Sequence, residues 1–138
     1  MSKHENASGA ERRKRQRFVA TRWGNVCFWV EIDGVRQPVN DLSLEGFSLS
    51  WGVPLPEPLD LPFVLHLEGI PDQIRGTART VNFVLGAEGG LLGCRFLSFE
   101  GDGAERLHEW LTIHVISTAT IRISETEAAA IVSGPSLV

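Results

Sequence analysis

Nowhere in the 138 residues do apolar side chains run together long enough to cross a bilayer, which takes about 18 or more consecutive positions. The N-terminus is polar and charged, without the apolar stretch of a secretory signal, so neither insertion nor export is expected and the cytoplasm is the expected location. Cysteine is scarce. Cys27 and Cys94 sit in separate apolar runs with no Cys-x-x-Cys pair and no clustered histidines, and both are expected as buried thiols rather than as a disulfide or metal ligands. His4, His66, His108 and His114 lack metal-ligand spacing; His66 and His114 are expected to be structural and the other two solvated. The Glu100-Gly-Asp-Gly run lacks the alternating oxygen ligands of a calcium loop. Ser43 has neither a Gly-x-Ser-x-Gly elbow nor an identifiable histidine partner, so no catalytic residue, enzymatic activity, cofactor or metal is expected. No internal repeat is evident.

The chain has the length of one domain, and its 43% hydrophobic content suffices for one core. A net charge of −4 hides an asymmetry. Residues 1–17 hold six basic side chains, Lys3, Arg12, Arg13, Lys14, Arg15 and Arg17, against Glu5 and Glu11, while the remainder carries 7 basic and 15 acidic residues. An anionic ligand would be drawn to one end of the molecule. Residues 1–11 read as a disordered leader and 12–116 as the folded domain with its basic arm. Short segments rich in Val, Ile, Phe and Trp follow: 18–20 with 25–32, 37–42, 46–51, 63–67, 74–84 and 91–99. Asp33-Gly34 marks a hairpin turn, Gly86 to Gly90 another turn, and Pro54, Pro56, Pro58 and Pro62 a stretch barred from a central strand. About six short strands with tight connections suggest an antiparallel barrel or sandwich.

After Asp102 as N-cap, Leu107, Trp110, Leu111, His114 and Val115 recur at three- and four-residue spacing, predicting a helix from residue 104 that packs on the sheet. Residues 117–138 form a tail. In it Thr118–Ile123 alternates like a strand, and Ser124-x-x-Glu127 is a capping-box pattern for a short helix ended by Gly134-Pro135. Ile121, Ile123, Ile131 and Val132 make this tail the expected partner surface.

Two motifs stand out: Arg13-x-x-x-Arg17, and Asp41-x-Ser43-x-x-Gly46 at the entry to a strand. Each has a plain alternative, a solvated basic arm for the first and a strand connection for the second, because Asp and Ser cap turn amides and Gly supplies unusual backbone angles. Their order, together with the Gly93-Cys94-Arg95-Phe96 strand and the helix with Leu107 and Leu111, resembles the PilZ family over residues 12–111. The resemblance implies a six-stranded antiparallel β-barrel with a C-terminal α-helix packed on it, and a receptor for the second messenger cyclic di-GMP. It implies Arg13, Arg17, Asp41, Ser43 and Gly46 as ligand-binding residues, under an arm that closes on binding and signals to a partner protein in motility, exopolysaccharide or virulence control. Arg12, directly before the arginine motif, implies the mode in which two stacked nucleotides bind as an intercalated dimer.

The chemistry of the residues agrees. A guanidinium binds phosphate oxygens bidentately, reads guanine O6 and N7 as a fork and stacks on purine faces. A carboxylate at Asp41 accepts from guanine N1–H and N2–H₂, Ser43 can donate or accept, and Gly46 would admit a flat ligand close to the backbone. Lys14 is expected to contribute diffuse charge, and Arg15 to point elsewhere. Trp23 or Trp51 could stack on a base, though aromatic residues more often anchor a core. Two alternatives stay open: a PilZ-like protein adaptor without ligand, and a nucleic-acid-binding barrel, the latter disfavoured by the acidic body.

Overall fold

The computed structural model describes residues 15–86 and 89–135. Arg12, Arg13 and the leader therefore lie outside the described residues, as does part of the turn expected between Gly86 and Gly90. The chain runs through β1 (Phe18–Val19), β2 (Thr21–Arg22), β3 (Asn25–Val26), β4 (Phe28–Ile32), β5 (Val35–Pro38), β6 (Asp41–Leu42), β7 (Gly46–Trp51), β8 (Asp60–Leu67), β9 (Gln73–Gly86), β10 (Gly89–Phe99), α1 (Gly103–Thr118) and α2 (Glu125–Ser133). Eight strands form one curled antiparallel sheet in the order β1-β6-β7-β10-β9-β8-β4-β5, and β2 pairs with β3 in a separate hairpin. The mainly β expectation holds. The strand count is higher than six because the segments read at 18–32 and 37–42 are each broken by bends into shorter strands. Val39 and Asn40 make one such bend: the Val39 amide donates to the Phe28 carbonyl on β4, and the Asn40 amide to the Ser48 carbonyl on β7.

Alternation explains which way each strand faces. Phe28, Val30 and Ile32 of β4 and Phe63, Leu65 and Leu67 of β8 point inward and are buried. On the outer face of the same strands, His66 Nε2 meets Glu31 at 2.8 Å, and the Trp29 indole donates to Glu68 at 3.0 Å. Asp33 and Gly34 both have positive φ, 54° and 79°, as the tight hairpin between β4 and β5 requires. Trp23 and Gly24 repeat that conformation, φ 54° and 84°, at the tip of β2–β3, where the indole is 85% exposed. A bulky residue rarely occupies this region; the break between the segments read at 18–20 and 25–32 and the presence of Gly24 mark the turn, but not the positive φ of Trp23.

Pro62 departs from expectation. It lies within β8 opposite Thr77 of β9, but β4 reaches β8 only from Val64 to Leu67. Pro62 thus occupies a stretch with one open side, where a sheet tolerates proline. Residues 52–59, carrying Pro54, Pro56 and Pro58, run beside the far end of β9: the Leu59 amide donates to Thr80 Oγ1 at 2.8 Å, and the Thr80 amide to the Leu59 carbonyl at 2.9 Å.

Helix α1 buries Leu107, Trp110, Leu111, His114 and Val115, the stripe its spacing predicts. Asp102 precedes it but makes no side-chain cap to the helix amides; its carboxylate instead meets Arg106 at 3.4 Å. Thr118–Ile123 is not a strand: Thr118 ends α1, and the alternation there lacks any neighbouring strand to pair with. The capping box of α2 is present, Ser124 Oγ accepting from the Glu127 amide at 3.1 Å and Glu127 Oε1 from the Ser124 amide at 2.8 Å. Ala128 and Val132 are fully buried, so α2 packs on α1 as part of the core, leaving Ile121 and Ile131 exposed.

His114 ties the helix to the start of the sheet. A carbonyl only accepts and a guanidinium only donates, so Nε2–H donates to the Val19 carbonyl at 2.8 Å and Nδ1 accepts from Arg22 Nε at 3.0 Å. The ring is fixed as one neutral tautomer. Burial, with the nearby Arg22 charge, holds its pKa below the ordinary histidine value despite the Val19 hydrogen bond. A histidine whose folded pKa is depressed binds its proton later in the folded state than in the unfolded one, so stability falls as pH drops through about 6.5 and levels off below the folded pKa. In urea titrations from pH 7.5 to 5, His114→Gln, which keeps an acceptor and a donor but cannot titrate, should lose less stability than wild type. Equal slopes would mean that His114 does not carry this term.

Candidate ligand-binding site

The outer face of β6, β7, β10 and β9 carries a row of small and polar residues directly across the sheet. Asp41 is opposite Ser48, Ser48 opposite Gly93, and Gly93 opposite Asn82. One step along the strands, Gly46 is opposite Arg95. Between these rows β9 has one extra residue: Gly93 pairs with Asn82 but Cys94 with Thr80, leaving Val81 as a bulge that is 52% exposed. Bulges re-aim side chains, and here Val81 and Asn82 rise beside a floor made by Ser48 and Gly93.

A cleft of about 460 Å³ lies over this floor. Arg17, Asp41, Ser43 and Gly46, four of the six residues singled out from sequence, line it together; Arg12 and Arg13 lie outside the described residues. Arg15 also lines the cleft, contrary to the expectation that it points elsewhere. Arg95, Glu45, Ser48 and Asn82 complete the polar lining and were missed. Arg95 was within reach of sequence, since Leu92 and Cys94 face inward and alternation turns Arg95 out. That it faces the Asp-Ser turn required knowing that β7 pairs with β10.

The guanidinium groups of Arg17 and Arg95 make no hydrogen bond or ion pair among the described residues. Arg79, opposite Arg95, differs: Asp60 holds it through two contacts of 2.7 and 3.1 Å, keeping the Asp60 carboxyl below its usual range. The cleft therefore has uncommitted cationic forks beside two carboxylates, Glu45 and Asp41, the latter accepting a 3.5 Å hydrogen bond from Asn40 Nδ2. Beneath the floor, burial pushes the Cys94 thiol up to about 11, so it remains protonated and unreactive.

Ser43 and Gly46 each carry a structural role as well. Ser43 is buried; its Oγ accepts from the Glu45 amide at 3.0 Å, and its own amide donates to the Gly46 carbonyl at 2.9 Å. It builds the turn, leaving its hydroxyl hydrogen to donate. At Gly46, an added Cβ would lie 2.0 Å from the Cys94 carbonyl oxygen. The glycine is required by the approach of β10 to β7, and it also lines the cleft. Neither Trp23 nor Trp51 lines the cleft, so stacking on a base there would fall to arginine.

No protein-family model matches the chain, and no curated protein matches it.

Gly46 and Gly93 separate the structural and the binding demands on this surface. Gly46→Ala meets backbone and should destabilise the fold by about 1–3 kcal/mol through forced strand displacement. At Gly93 a Cβ would meet only the Asn82 carboxamide, at 2.1 Å, which can rotate away. Thermal melts should therefore show a clear loss for Gly46→Ala and a smaller one for Gly93→Ala; the reverse order would show that the strand contact is not the constraint.

Proposed function

We propose that the chain is a PilZ-type receptor for cyclic di-GMP, without catalytic activity, acting through a partner protein in the cytoplasm. The observation that carries this reading is the convergence of Arg17 with Asp41, Ser43 and Gly46 on one cleft, with Arg15 and Arg95 beside them. A cyclic dinucleotide presents two phosphates and two guanines. Arginine suits both, bidentately at phosphate oxygens and at guanine O6 and N7, while Asp41 accepts from the guanine N1–H and N2–H₂ edge. The low floor at Ser48 and Gly93 leaves room for a planar base, and Asn82 adds a donor and an acceptor at its border. The bend at Val39–Asn40, bonded to β4 on one side and β7 on the other, supports describing the curled sheet as the barrel of this family.

In this mechanism the arm preceding β1 closes over the nucleotide. Arg12 and Arg13 complete the cation set, and Arg12 favours two stacked nucleotides by neutralising the extra phosphates. Because β1 follows the arm directly and Val19 is held by His114 of α1, closure is communicated to the helical layer.

Calorimetric titration with cyclic di-GMP, with GTP and single-stranded DNA as controls, tests the site. Loss of a charge-assisted hydrogen bond costs on the order of 1.5–3 kcal/mol, so Arg17→Ala, Asp41→Ala and Arg95→Ala should each weaken binding about tenfold or more with the fold intact. Wild-type affinity in all three, or equal binding of the controls, refutes the assignment. The stoichiometry should be near two nucleotides per chain and fall to about one in Arg12→Leu, which removes the third guanidinium. Tryptic cleavage at Arg12 to Arg17 should slow at saturating ligand; an unchanged rate rules out arm closure.

A further inference from the structure

Helices α1 and α2 run antiparallel, since His108 of α1 meets Ser133 at the end of α2 through a 2.8 Å hydrogen bond. Between them lies a second groove, of about 520 Å³, which shares no described lining residue with the ligand cleft. Ile113 and Ile116 from α1, 47% and 40% exposed, and Ala129 from α2 give it an apolar stripe, with His108 and Thr112 also in its lining. Glu105 and Glu109 flank it along α1, and Glu125 stands at the start of α2. Because α2 ends at His108, its start lies toward the other end of α1, so the carboxylates bracket the stripe. Among the described residues none of the three forms a salt bridge, and no described Lys or Arg lines the groove. The last turn of α1 carries no basic residue either, leaving the negative end of its dipole without a cation on the helix.

Two adjacent half-exposed isoleucines one helical turn apart present a stripe that a third helix could cover in the ridge-and-groove manner. The surrounding charge dictates which helix. An acidic or neutral partner would bury or approach carboxylates without compensation, whereas Lys or Arg flanking an apolar stripe would pair with them. We propose that this groove docks an amphipathic, basic helix of a partner protein, its apolar side on Ile113, Ile116 and Ala129 and its cations on Glu105, Glu109 and Glu125. The groove shares no described lining residue with the nucleotide cleft, so the proposal is tested separately from that reading.

The test uses the full chain and a synthetic 18-residue Leu/Lys helix-forming peptide, with an acidic twin in which Glu replaces Lys. Fluorescence anisotropy should show binding of the basic peptide only, weakening as salt rises through the range where exposed charges are screened. Amide shifts in ¹⁵N-labelled protein should cluster at residues 105–116 and 125–129. Ile113→Lys and Glu109→Lys, both at exposed positions, should each weaken binding at least tenfold while leaving cyclic di-GMP titrations unchanged. The proposal is overturned by an absence of binding, by equal binding of the acidic twin, by shifts spread over the acidic body, or by wild-type affinity in both variants. A concentration-dependent dimer abolished by Ile113→Lys would give the groove to a second copy instead. Tighter peptide binding in an Arg12→Glu/Arg13→Glu double variant would give it to the chain's own basic arm; either result replaces the partner helix.

Discussion

Gly46 and Cys94 set how closely two strands approach, and much of the candidate site depends on that spacing. With no side chain at Gly46, β10 brings a carbonyl oxygen into the position a Cβ would take. The same registration places Ser48 against Gly93 and Gly46 against Arg95, producing a low floor with a cation at its border. Below it, Phe47 and Phe96 stack with Phe63 and Phe99 at centroid separations from 4.8 to 6.2 Å. Tilted and edge-on aromatic contacts of this kind resist shear, so the outer surface rests on a firm inner layer. The Val81 bulge then supplies height on one side without disturbing that layer.

The root of the arm is held by a different contact. His114 receives one hydrogen bond and makes another, to two residues on either side of Ala20, and Ala20 is itself fully buried with its carbonyl accepting from the Cys27 amide. The arm therefore leaves from a fixed point. Arg22 bears part of the cost: its Nη2 is buried without a hydrogen-bond partner among the described residues, an unfavourable arrangement offset by the Nε bond to the imidazole. From this root, β1 connects across the sheet to Asp41 and Leu42 of β6 and, through His114, to α1.

Elements built on strong periodicity were legible in the sequence. The helix stripe from Leu107 to Val115, the Ser124–Glu127 cap and the Asp33-Gly34 turn all follow from local rules and stand as expected. Bends were not legible, because Val39 and Asn40 sit in a stretch whose composition reads as one strand, and only their divided hydrogen bonding reveals two. Of the candidate site, the motif positions Arg17, Asp41, Ser43 and Gly46 were legible and line one cleft, but the backbone roles of Ser43 and Gly46 were not. Ser43 also builds its own turn through Glu45 and Gly46, and Gly46 also admits the Cys94 carbonyl, the latter a demand set by a residue about fifty positions away. Arg95 and Asn82 escaped notice for the same reason: their relevance comes from cross-strand register, which no local pattern encodes.

The segment from Gly52 to Leu59 has a consequence for the molecule at high concentration. The far end of β9 carries Val81, Val84 and Leu85, all more than half exposed, and without cover its backbone would be an adhesive edge open to strands of other molecules. Leu55, Pro56, Glu57 and Pro58 lie alongside Thr80 to Phe83. A segment punctuated by prolines cannot continue the hydrogen-bond ladder outward, since each proline lacks the donor that the next strand would need. It caps the sheet there as a dead end for growth, and Glu57 adds a charge that repels a like segment from a second molecule. Eight residues largely outside the core thus protect this stretch of the sheet edge from further pairing.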